Sequence, residues 1–595
     1  MTADQLIRGL AAVNPGFFII AAALLAAVAR DTVVRAVALI GGPIIAGVVL
    51  LYPPVAGVEV ARTGFLGFDL ALYRPDSLSL IFGFGFTLAA ALTGIYSLHR
   101  RDQVQDAAGM VYAGSAVAAV FAGDLISLVI FAEMATLASA AIIFAKRTGA
   151  SYRAALRYLA IQSVGGLLLL TGAILYGLAE GSFLFQELGG LWNGVLVGIF
   201  DLKQPGAILI LLGAGIKAGF PLTHNWLTDA YPNTTETGAV ALSPYTTSLA
   251  VYILARGFAG LDALIWIGAV MTIYPVFFAV MENDLKKVLA YSSNNQIGFM
   301  VCAVGMGTTL SLNGAAAHAF AHIIFKGLLF MCMGAVQLRL GTTKATDLGG
   351  IHRTMPWTTL ACLIGAASIS AIPFFAGYSS KAMIMASAES GMGLTVVWLM
   401  LLFASAGVLE HSGIKIPFFA FFSHDGGKRP KEAPFNMVLA MGLSAAICLA
   451  IGLKPSWLYQ LLPFRDQAIK FLTFDLFSTA HMIQQTELIA FAVFAFMLLK
   501  WLKMYPPERE GLILDAEWIW RKALPRVAAG LARPTAIPGR AISALIASTG
   551  RRVQGLAAQV FAEGGLVSRK LPLAGTAVWT LAILGLVVLI SLFSR

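Results

Sequence analysis

Two side chains of opposite charge lie within stretches that are otherwise apolar enough to enter a bilayer. Glu133 lies in DLISLVIFAEMATLASAAIIF, and Lys217 lies in AILILLGAGIKAGFPLTHNWLTDAYP, four residues before Pro221. A charge at the centre of a membrane helix costs roughly 2.5–3.5 kcal/mol on insertion scales, which favours a partner of opposite sign. We therefore expect Glu133 and Lys217 to form an ion pair that takes part in ion or proton movement. For Glu133, the alternative is a buried carboxylate satisfied by a hydroxyl or amide group.

Three further ionisable residues share one helix. His318, His322 and Lys326 lie in NGAAAHAFAHIIFKGLLFMCMG, and a spacing of four residues places all three on one face. Histidine takes up and releases protons near neutrality because its unperturbed pKa is about 6.5. The row therefore predicts a proton relay, and ordinary hydrogen bonding between helices is the alternative.

A second polar cluster follows further along the chain. Lys381 comes after a proline and glycine break in ISAIPFFAGYSSKAMI, a position that favours function over a lysine reaching the membrane surface. Glu410, His411 and Lys415 lie toward the predicted cytoplasmic end of another helix. These three either pair locally at the interface or extend the polar path, and the sequence favours neither interpretation.

The composition identifies the elements that must hold these residues. The chain has 595 residues, 58% hydrophobic and 12% charged, with a net charge of +11 and a mean hydropathy of +0.81. A soluble protein carries about 25% charged residues. Apolar runs of about twenty residues recur along almost the whole chain, without the period-two alternation of an outer-membrane barrel. We predict an all-α polytopic membrane protein with about 14–16 transmembrane helices.

Two helices, within 207–232 and 356–390, are expected to be broken, because each apolar run is interrupted by proline and glycine. Paired breaks are typical of inverted-repeat transporters, so we predict two inverted five-helix repeats with one broken helix each. The predicted segments are N-terminal helices (1–106), a first repeat (107–259), a second repeat (260–423), C-terminal helices (424–504), an amphipathic surface segment (505–570) and a final transmembrane helix (571–595).

Charge placement predicts the orientation of these segments. Lysine and arginine are concentrated in alternate loops, which places those loops in the cytoplasm and the N-terminus on the outer face. The mixed segment 456–484 is expected at the outer interface. In 505–570, basic residues alternate with apolar ones, as in a helix lying on the cytoplasmic membrane surface; a solvated basic tail is the alternative. The predicted location is the bacterial inner membrane.

The sequence contains no recognisable apparatus for enzyme chemistry. Four cysteines, Cys302, Cys332, Cys362 and Cys448, fall inside apolar runs without metal-ligand spacing. No span or loop carries a nucleotide-binding loop or a nucleophile motif. We therefore expect no bound metal, no cofactor, no nucleic-acid partner and no catalytic activity of the chain alone.

Five stretches carry a resemblance to a known family. They are GDLISLVIFAE (123–133), KAGFPLTHNWLTDAYP (217–232), NDLKKVLAYSSNNQIGF (283–299), HAFAHIIFKGLLF (318–330) and ISAIPFFAGYSSK (369–381). Together they resemble the antiporter-like subunits shared by Mrp-type Na+/H+ antiporters, respiratory complex I and membrane-bound hydrogenases. The motifs look most like the D-type subunit of the Mrp complex.

The resemblance implies fourteen core helices and a role in moving protons, exchanged for sodium in Mrp complexes. It implies that Glu133 and Lys217 correspond to the family's ion pair and that Lys381 corresponds to the charged residue of its second broken helix. The family's central relay corresponds to His318, His322 and Lys326. The chain departs from the family where many relatives keep a helix-8 lysine, because Ser248 stands there. Water held by Thr246, Thr247 and Ser248 is one replacement for that lysine, and His224 is a further polar candidate.

The resulting hypothesis is an ion-translocating subunit of a multisubunit Na+/H+ antiporter. Its expected partners are other membrane subunits, lipid, protons and Na+. The alternatives are a proton-pumping subunit of a complex I-type or hydrogenase-type redox complex, and a non-conducting structural paralogue of either.

Overall fold

The computed structural model describes residues 10–29, 31–65, 68–188, 204–391, 393–504, 511, 513, 515–523 and 525–527. We number its principal helices and strands in chain order: α1 (Gly16–Val28), α2 (Thr32–Val49), β1 (Ala61–Phe65), β2 (Phe68–Tyr73), α3 (Ser77–Ser97), α4 (Gln103–Val120), α5 (Leu125–Phe144), α6 (Gly149–Glu180), α7 (Pro205–Ala218), α8 (Asn225–Ala230), α9 (Gly238–Leu242), α10 (Thr246–Gly257), α11 (Asp262–Met281), α12 (Leu285–Met306), α13 (Thr309–Leu340), α14 (Pro356–Ile369), α15 (Ala376–Ser390), α16 (Thr395–Val408), α17 (Phe435–Leu453) and α18 (Thr479–Trp501).

The all-α polytopic fold is confirmed. Within the described ranges, ten helical stretches are long and apolar enough to cross a membrane, and three shorter apolar helices, α1, α7 and α14, accompany them. The helices begin at side-chain caps where the sequence allows it: Asp124 accepts hydrogen bonds at the start of α5 and Asp284 does so at the start of α12. Glycine in the left-handed conformation ends α6, α12 and α13.

A short antiparallel hairpin, β1 paired with β2, is an element that the sequence did not predict. It is tied to the helices by Asp124, whose carboxylate accepts a hydrogen bond from the backbone N–H of Ala71 at 2.7 Å. Each strand has only five or six residues, so a pattern of alternating polarity is too brief to distinguish from a loop.

Both predicted breaks are present in the helices. The first separates α7 from α8, and the second separates α14 from α15. Corresponding parts of the two predicted repeats share further features: α6 and α13 are both 32 residues long, and isolated bridges join Asp124 to Leu184 and Asp284 to Lys344. These features favour the arrangement of two five-helix repeats, which stays a prediction, as do the segment boundaries.

A buried ion pair joins the first helices. The Arg35 guanidinium on α2 contacts the Asp106 carboxylate on α4 at 2.5 Å and donates to the backbone oxygens of Ser97 and Leu98, each at 3.1 Å. Arg35 therefore stabilises the packing of these helices. The prediction of orientation counted its charge among those of a cytoplasmic loop.

The C-terminal part differs from the prediction in one boundary. Short helical pieces occupy Ser456–Tyr459 and Arg465–Phe471, as a non-spanning segment requires, but α18 begins at Thr479, inside the predicted interfacial segment 456–484. Ser478 caps this start by accepting a hydrogen bond from the His481 N–H. The first turns of α18 contain polar residues, so the apolar run in the sequence begins later than the helix does. The final transmembrane helix, 571–595, and most of the surface segment 505–570 lie outside the described residues.

Candidate functional site

Glu133 and Lys217 form an ion pair between α5 and α7. Lys217 Nζ lies 2.9 Å from Glu133 Oε1 and donates a second hydrogen bond to Thr136 Oγ1, also at 2.9 Å. The Lys217 side chain is 2% exposed, whereas that of Glu133 is 33% exposed. The ammonium group is therefore held inside the chain, and the carboxylate reaches toward its surface.

The helix break follows Lys217 directly. Lys217 lies in the last turn of α7, where the helix dipole favours a positive charge. Gly219 then adopts a left-handed conformation with φ of 81°, and Leu222 follows with φ of 71°. Trp226 on α8 folds back and donates from Nε1 to the Ile216 carbonyl at 3.0 Å, which satisfies one carbonyl that the break leaves free.

His224 is buried at the end of this break, and its partner comes from a distant part of the chain. His224 Nε2 lies 3.1 Å from Asp515 Oδ2, and Asn225 Nδ2 donates to the same oxygen at 2.9 Å. Asp515 was not predicted as a site residue, because no sequence pattern within the segment 505–570 distinguishes this carboxylate from the other acidic residues there.

The predicted row on α13 is fully buried and faces two other helices. His318 contacts Gln296 Oε1 on α12 at 3.0 Å through Nε2, and Ser380 Oγ on α15 at 2.9 Å through Nδ1. Both ring nitrogens of His322 are buried and have no hydrogen-bond partner within the described part of the chain. Lys326 Nζ donates to Ser292 Oγ at 2.8 Å, so the row is joined to α12 at both ends.

Lys381 lies on α15, after the second break. Its side chain is buried, which excludes the interpretation as a lysine that reaches the membrane surface. Lys381 Nζ lies 4.7 Å from the centre of the Phe299 ring, a cation–π contact, and 3.4 Å from the Ile369 carbonyl, in the last turn of α14. No described carboxylate forms an ion pair with this ammonium group.

Glu410 and His411 lie in a π-helical turn, Leu409–Ile414, that continues α16, and Lys415 follows this turn directly. Such turns are rare and frequent at functional sites. His411 Nδ1 contacts Ser412 Oγ at 2.8 Å, and Ser412 donates to Ser292 Oγ at 2.8 Å, the atom that also accepts from Lys326. A hydrogen-bonded chain thus leads from the α13 row to His411.

Lys415 makes different contacts. Lys415 donates to the backbone oxygens of Val280 and Glu282, at 2.6 and 2.7 Å, at the end of α11. Glu410 is half-buried in the same π-helical turn. Lys415 therefore secures α16 against α11, while His411 belongs to the buried chain.

The region between the two breaks contains the three hydroxyl groups on α10. Thr246, Thr247 and Ser248 are all buried. Thr246 Oγ1 contacts the Tyr112 hydroxyl at 2.6 Å, whereas Ser248 Oγ has no hydrogen-bond partner among the described residues. An internal water is expected beside a buried hydroxyl that lacks a hydrogen-bond partner.

The arrangement provides buried charges and hydrogen-bonding groups suited to proton movement. In the ranges that the structure describes, no group of three or more His, Cys, Asp or Glu side chains could hold a metal ion.

The chain is similar to known membrane proteins. Residues 122–454 match the family model described as NADH:quinone oxidoreductase/Mrp antiporter, TM. Hydrogenase-4 component B of Escherichia coli is 29% identical over 434 residues, covering 66% of this chain and 63% of that protein. The A-type subunit of the Na(+)/H(+) antiporter of Alkalihalophilus pseudofirmus is 27% identical over 525 residues, covering 78% of this chain and 64% of that protein. The chain therefore spans less than two thirds of these relatives.

Solved structures share the fold. A chain of the Mrp complex from Dietzia sp. DQ12-45-1b superposes with a TM-score of 0.67 at 20% identity, covering 80% of this chain and 99% of that one. A chain of respiratory complex I from Thermus thermophilus gives a TM-score of 0.65 at 18% identity, with coverage of 78% and 99%. The particular resemblance to the D-type subunit of the Mrp complex stays a prediction, since the antiporter relative above is of the A type.

Proposed function

The chain belongs to the NADH:quinone oxidoreductase/Mrp antiporter transmembrane family, and from this membership we propose that it is the ion-translocating subunit of a multisubunit Na+/H+ antiporter. The observation that carries the proposal is the ammonium group of Lys217, buried between Glu133 and Thr136 at the last turn of a broken helix. A buried charge in a membrane helix costs free energy, which is an argument that Lys217 has a function. The helix break beside it is an element able to move.

The proposed mechanism depends on opening and closing of the Glu133–Lys217 pair. While the pair is closed, the carboxylate stabilises the ammonium form of Lys217. When it opens, burial disfavours the charge, and Lys217 releases its proton toward the polar groups of the protein interior. Glu133 is the member that reaches the surface, so a neighbouring subunit or a change in its own protonation can draw it away.

The second half of the path is the row of His318, His322 and Lys326. His318 is held between Gln296 and Ser380, which fixes the orientation of its ring. Each ring nitrogen therefore has a polar neighbour. We propose that His322, whose nitrogens are unpartnered among the described residues, exchanges protons with internal water. Lys381 and the chain to His411 are the proposed continuations of this row toward the membrane surfaces.

A second candidate function follows from the Escherichia coli relative. Hydrogenase-4 component B is a component of a redox enzyme by its name, which favours a proton-pumping subunit of a hydrogenase-type or complex I-type assembly. The Ser248 hydroxyl, which has no partner among the described residues, is compatible with a third possibility, a non-conducting paralogue, because the family resemblance implies a lysine at this position. In all three cases the partners are further membrane subunits, and we propose a bacterial cell membrane location with the N-terminus on the outer face.

Inverted membrane vesicles that contain the assembled complex distinguish these functions. We expect Na+ to collapse an imposed pH gradient in wild-type vesicles, and Lys217→Ala or Glu133→Gln to slow this exchange at least about tenfold. Arg429→Ala is the control, because Arg429 forms an exposed pair with Asp425. Wild-type exchange in Lys217→Ala would contradict the proposal. Proton uptake driven by an electron donor without Na+ would favour the redox assembly.

A further inference from the structure

The C-terminal segment places one carboxylate in contact with the first helix break. Asp515 Oδ2 accepts hydrogen bonds from three side chains: His224 Nε2 at 3.1 Å, Asn225 Nδ2 at 2.9 Å and the Tyr291 hydroxyl at 2.8 Å. The Asp515 side chain is only 7% exposed, although residues 518 and 519 nearby are exposed. Three donors that converge on one oxygen form a site made for an anion.

The other edge of the His224 ring faces the protein interior. The ring packs against Tyr274, with centroids 4.8 Å apart, and against Tyr291, with centroids 6.5 Å apart. His224 Nδ1 is buried without a hydrogen-bond partner in the described residues, and so is Asn294 Oδ1, which lies against Gly219 of the break. Unsatisfied polar atoms at a helix break indicate a place that water or a proton can enter.

The carboxylate determines which nitrogen of His224 carries hydrogen. An ionised carboxylate only accepts, so Nε2 must be the donor, and Nδ1 of the neutral ring is left with a free lone pair. The pKa of Asp515 lies below its ordinary value: burial raises it, but the hydrogen bonds that the carboxylate accepts, the one from His224 foremost, lower it by more. Asp515 is thus an anion at neutral pH.

We propose that Asp515 is a positioning residue of the proton path, which holds His224 so that Nδ1 takes up a proton at the helix break beside Lys217. This inference rests on the proposed ion-translocating function. The proton binds to the Nδ1 lone pair, and the imidazolium that forms faces the Asp515 carboxylate across the Nε2–H bond. The same proton then leaves from Nδ1 toward the interior, and the Nε2–H bond is unchanged throughout.

The role of the Asp515 charge is tested by replacing this residue with a neutral one of the same shape in the full complex. In inverted vesicles, we expect Asp515→Asn to slow ion exchange about tenfold or more, since Asp515 positions His224 and a general acid–base group such as this imidazole contributes factors of this size or larger. Asp515→Glu restores the carboxylate and should recover most of the rate. Glu517→Gln, two residues along the same segment, is the matched control and should exchange at the wild-type rate. Unchanged exchange in Asp515→Asn would overturn the inference.

A double-mutant cycle separates positioning from simple attachment of the segment. If Asp515 acts through His224, the variant with both His224→Gln and Asp515→Asn should be no slower than His224→Gln alone. Losses that multiply would overturn the inference, as would a normal rate per assembled complex with only the amount of complex reduced.

Two further variants cover the remaining outcomes. If Asp515→Asn does not assemble, His224→Gln and Tyr291→Phe decide between the two roles. Glutamine keeps an N–H that can donate to Asp515 but cannot take up a proton, whereas phenylalanine removes one donor to the same oxygen. Equal losses in both would mean that Asp515 only anchors the segment, whereas a loss confined to His224→Gln supports the inference. Lys217→Ala serves as reference. Wild-type exchange in that variant would contradict the proposed function itself, whereas a slow Lys217→Ala together with wild-type exchange in Asp515→Asn would contradict this inference alone.

Discussion

Gly166 on α6 lies directly against the carboxylate of Glu133, so close that a methyl group at this position would overlap both carboxylate oxygens. We expect Gly166→Ala to displace Glu133 from Lys217 and to slow ion exchange severalfold. Exchange in inverted vesicles, divided by the amount of assembled complex, is the measurement. The variant changes neither charge of the pair, so a loss would report on geometry.

Gly442→Ala on α17 is the matched control for Gly166→Ala. A methyl group there meets no atom within 4 Å. Because alanine is favoured over glycine in a helix by roughly 0.5–1 kcal/mol, the control should be neutral or slightly more stable. A loss of exchange in Gly442→Ala equal to that in Gly166→Ala would contradict the role given to the contact with Glu133.

Removal of Arg35 should destabilise the fold without a direct effect on ion movement. Arg35→Ala leaves the buried Asp106 carboxylate without its guanidinium, and breaking a buried pair in this way costs about 3–5 kcal/mol. We expect a clearly lower melting temperature of the solubilised complex. Asp425→Asn, which removes an exposed ion pair, should melt as the wild type does. Equal melting of both variants would show that the buried pair contributes nothing.

The chain from Lys326 through Ser292 and Ser412 to His411 can be interrupted at a hydroxyl. Ser412→Ala removes the donor to Ser292 Oγ, and we expect exchange to fall severalfold, while Ser412→Thr keeps a hydroxyl and much of the rate. Ser444→Ala is the control, since the Ser444 hydroxyl donates to the Ala440 carbonyl of its own helix at 2.9 Å and otherwise lies against the apolar Met331 side chain, 3.9 Å from its sulfur. Exchange at the wild-type rate in Ser412→Ala would exclude this branch from the path.

The contact of Asp515 with the helix break should depend on pH in one direction. The folded pKa of Asp515 is below the ordinary value of about 3.9. The contact therefore contributes its full stabilisation above about pH 4 and loses it as the pH falls through the folded pKa. Amide hydrogen exchange at residues 515–519, corrected for intrinsic rates, should show constant protection from about pH 5 to 8. Release of the segment at pH 6 would contradict this assignment.

Much of the site was predictable because membranes penalise charge. Lys217, His318, His322, Lys326 and Lys381 stand out among apolar neighbours, and all five are buried in the structure. The partner of Lys217 was predictable too, since Glu133 is the carboxylate nearest the middle of a preceding span. Helical spacing placed the row of α13 on one face without any knowledge of what it contacts.

The contacts of these residues were not predictable. Ser292, Gln296 and Ser380 are ordinary polar residues in the sequence, and only the packing of α12 and α15 against α13 brings them to the row. Asp515 lies 291 positions from His224, in a segment whose composition indicates only a membrane surface. The hairpin β1–β2 was missed because its strands are too short for a pattern.

The sequence by itself determined the class of fold and the identity of the buried charges. Polar groups cost free energy in lipid, so each membrane span is an apolar run, and a charged residue within it stands out in the sequence. The tertiary structure alone decided which groups share a hydrogen bond, where the π-helical turn lies and which nitrogen of His224 contacts Asp515. Those depend on the crossing of helices distant in the chain, and the free energy of each contact exists only once the helices have packed.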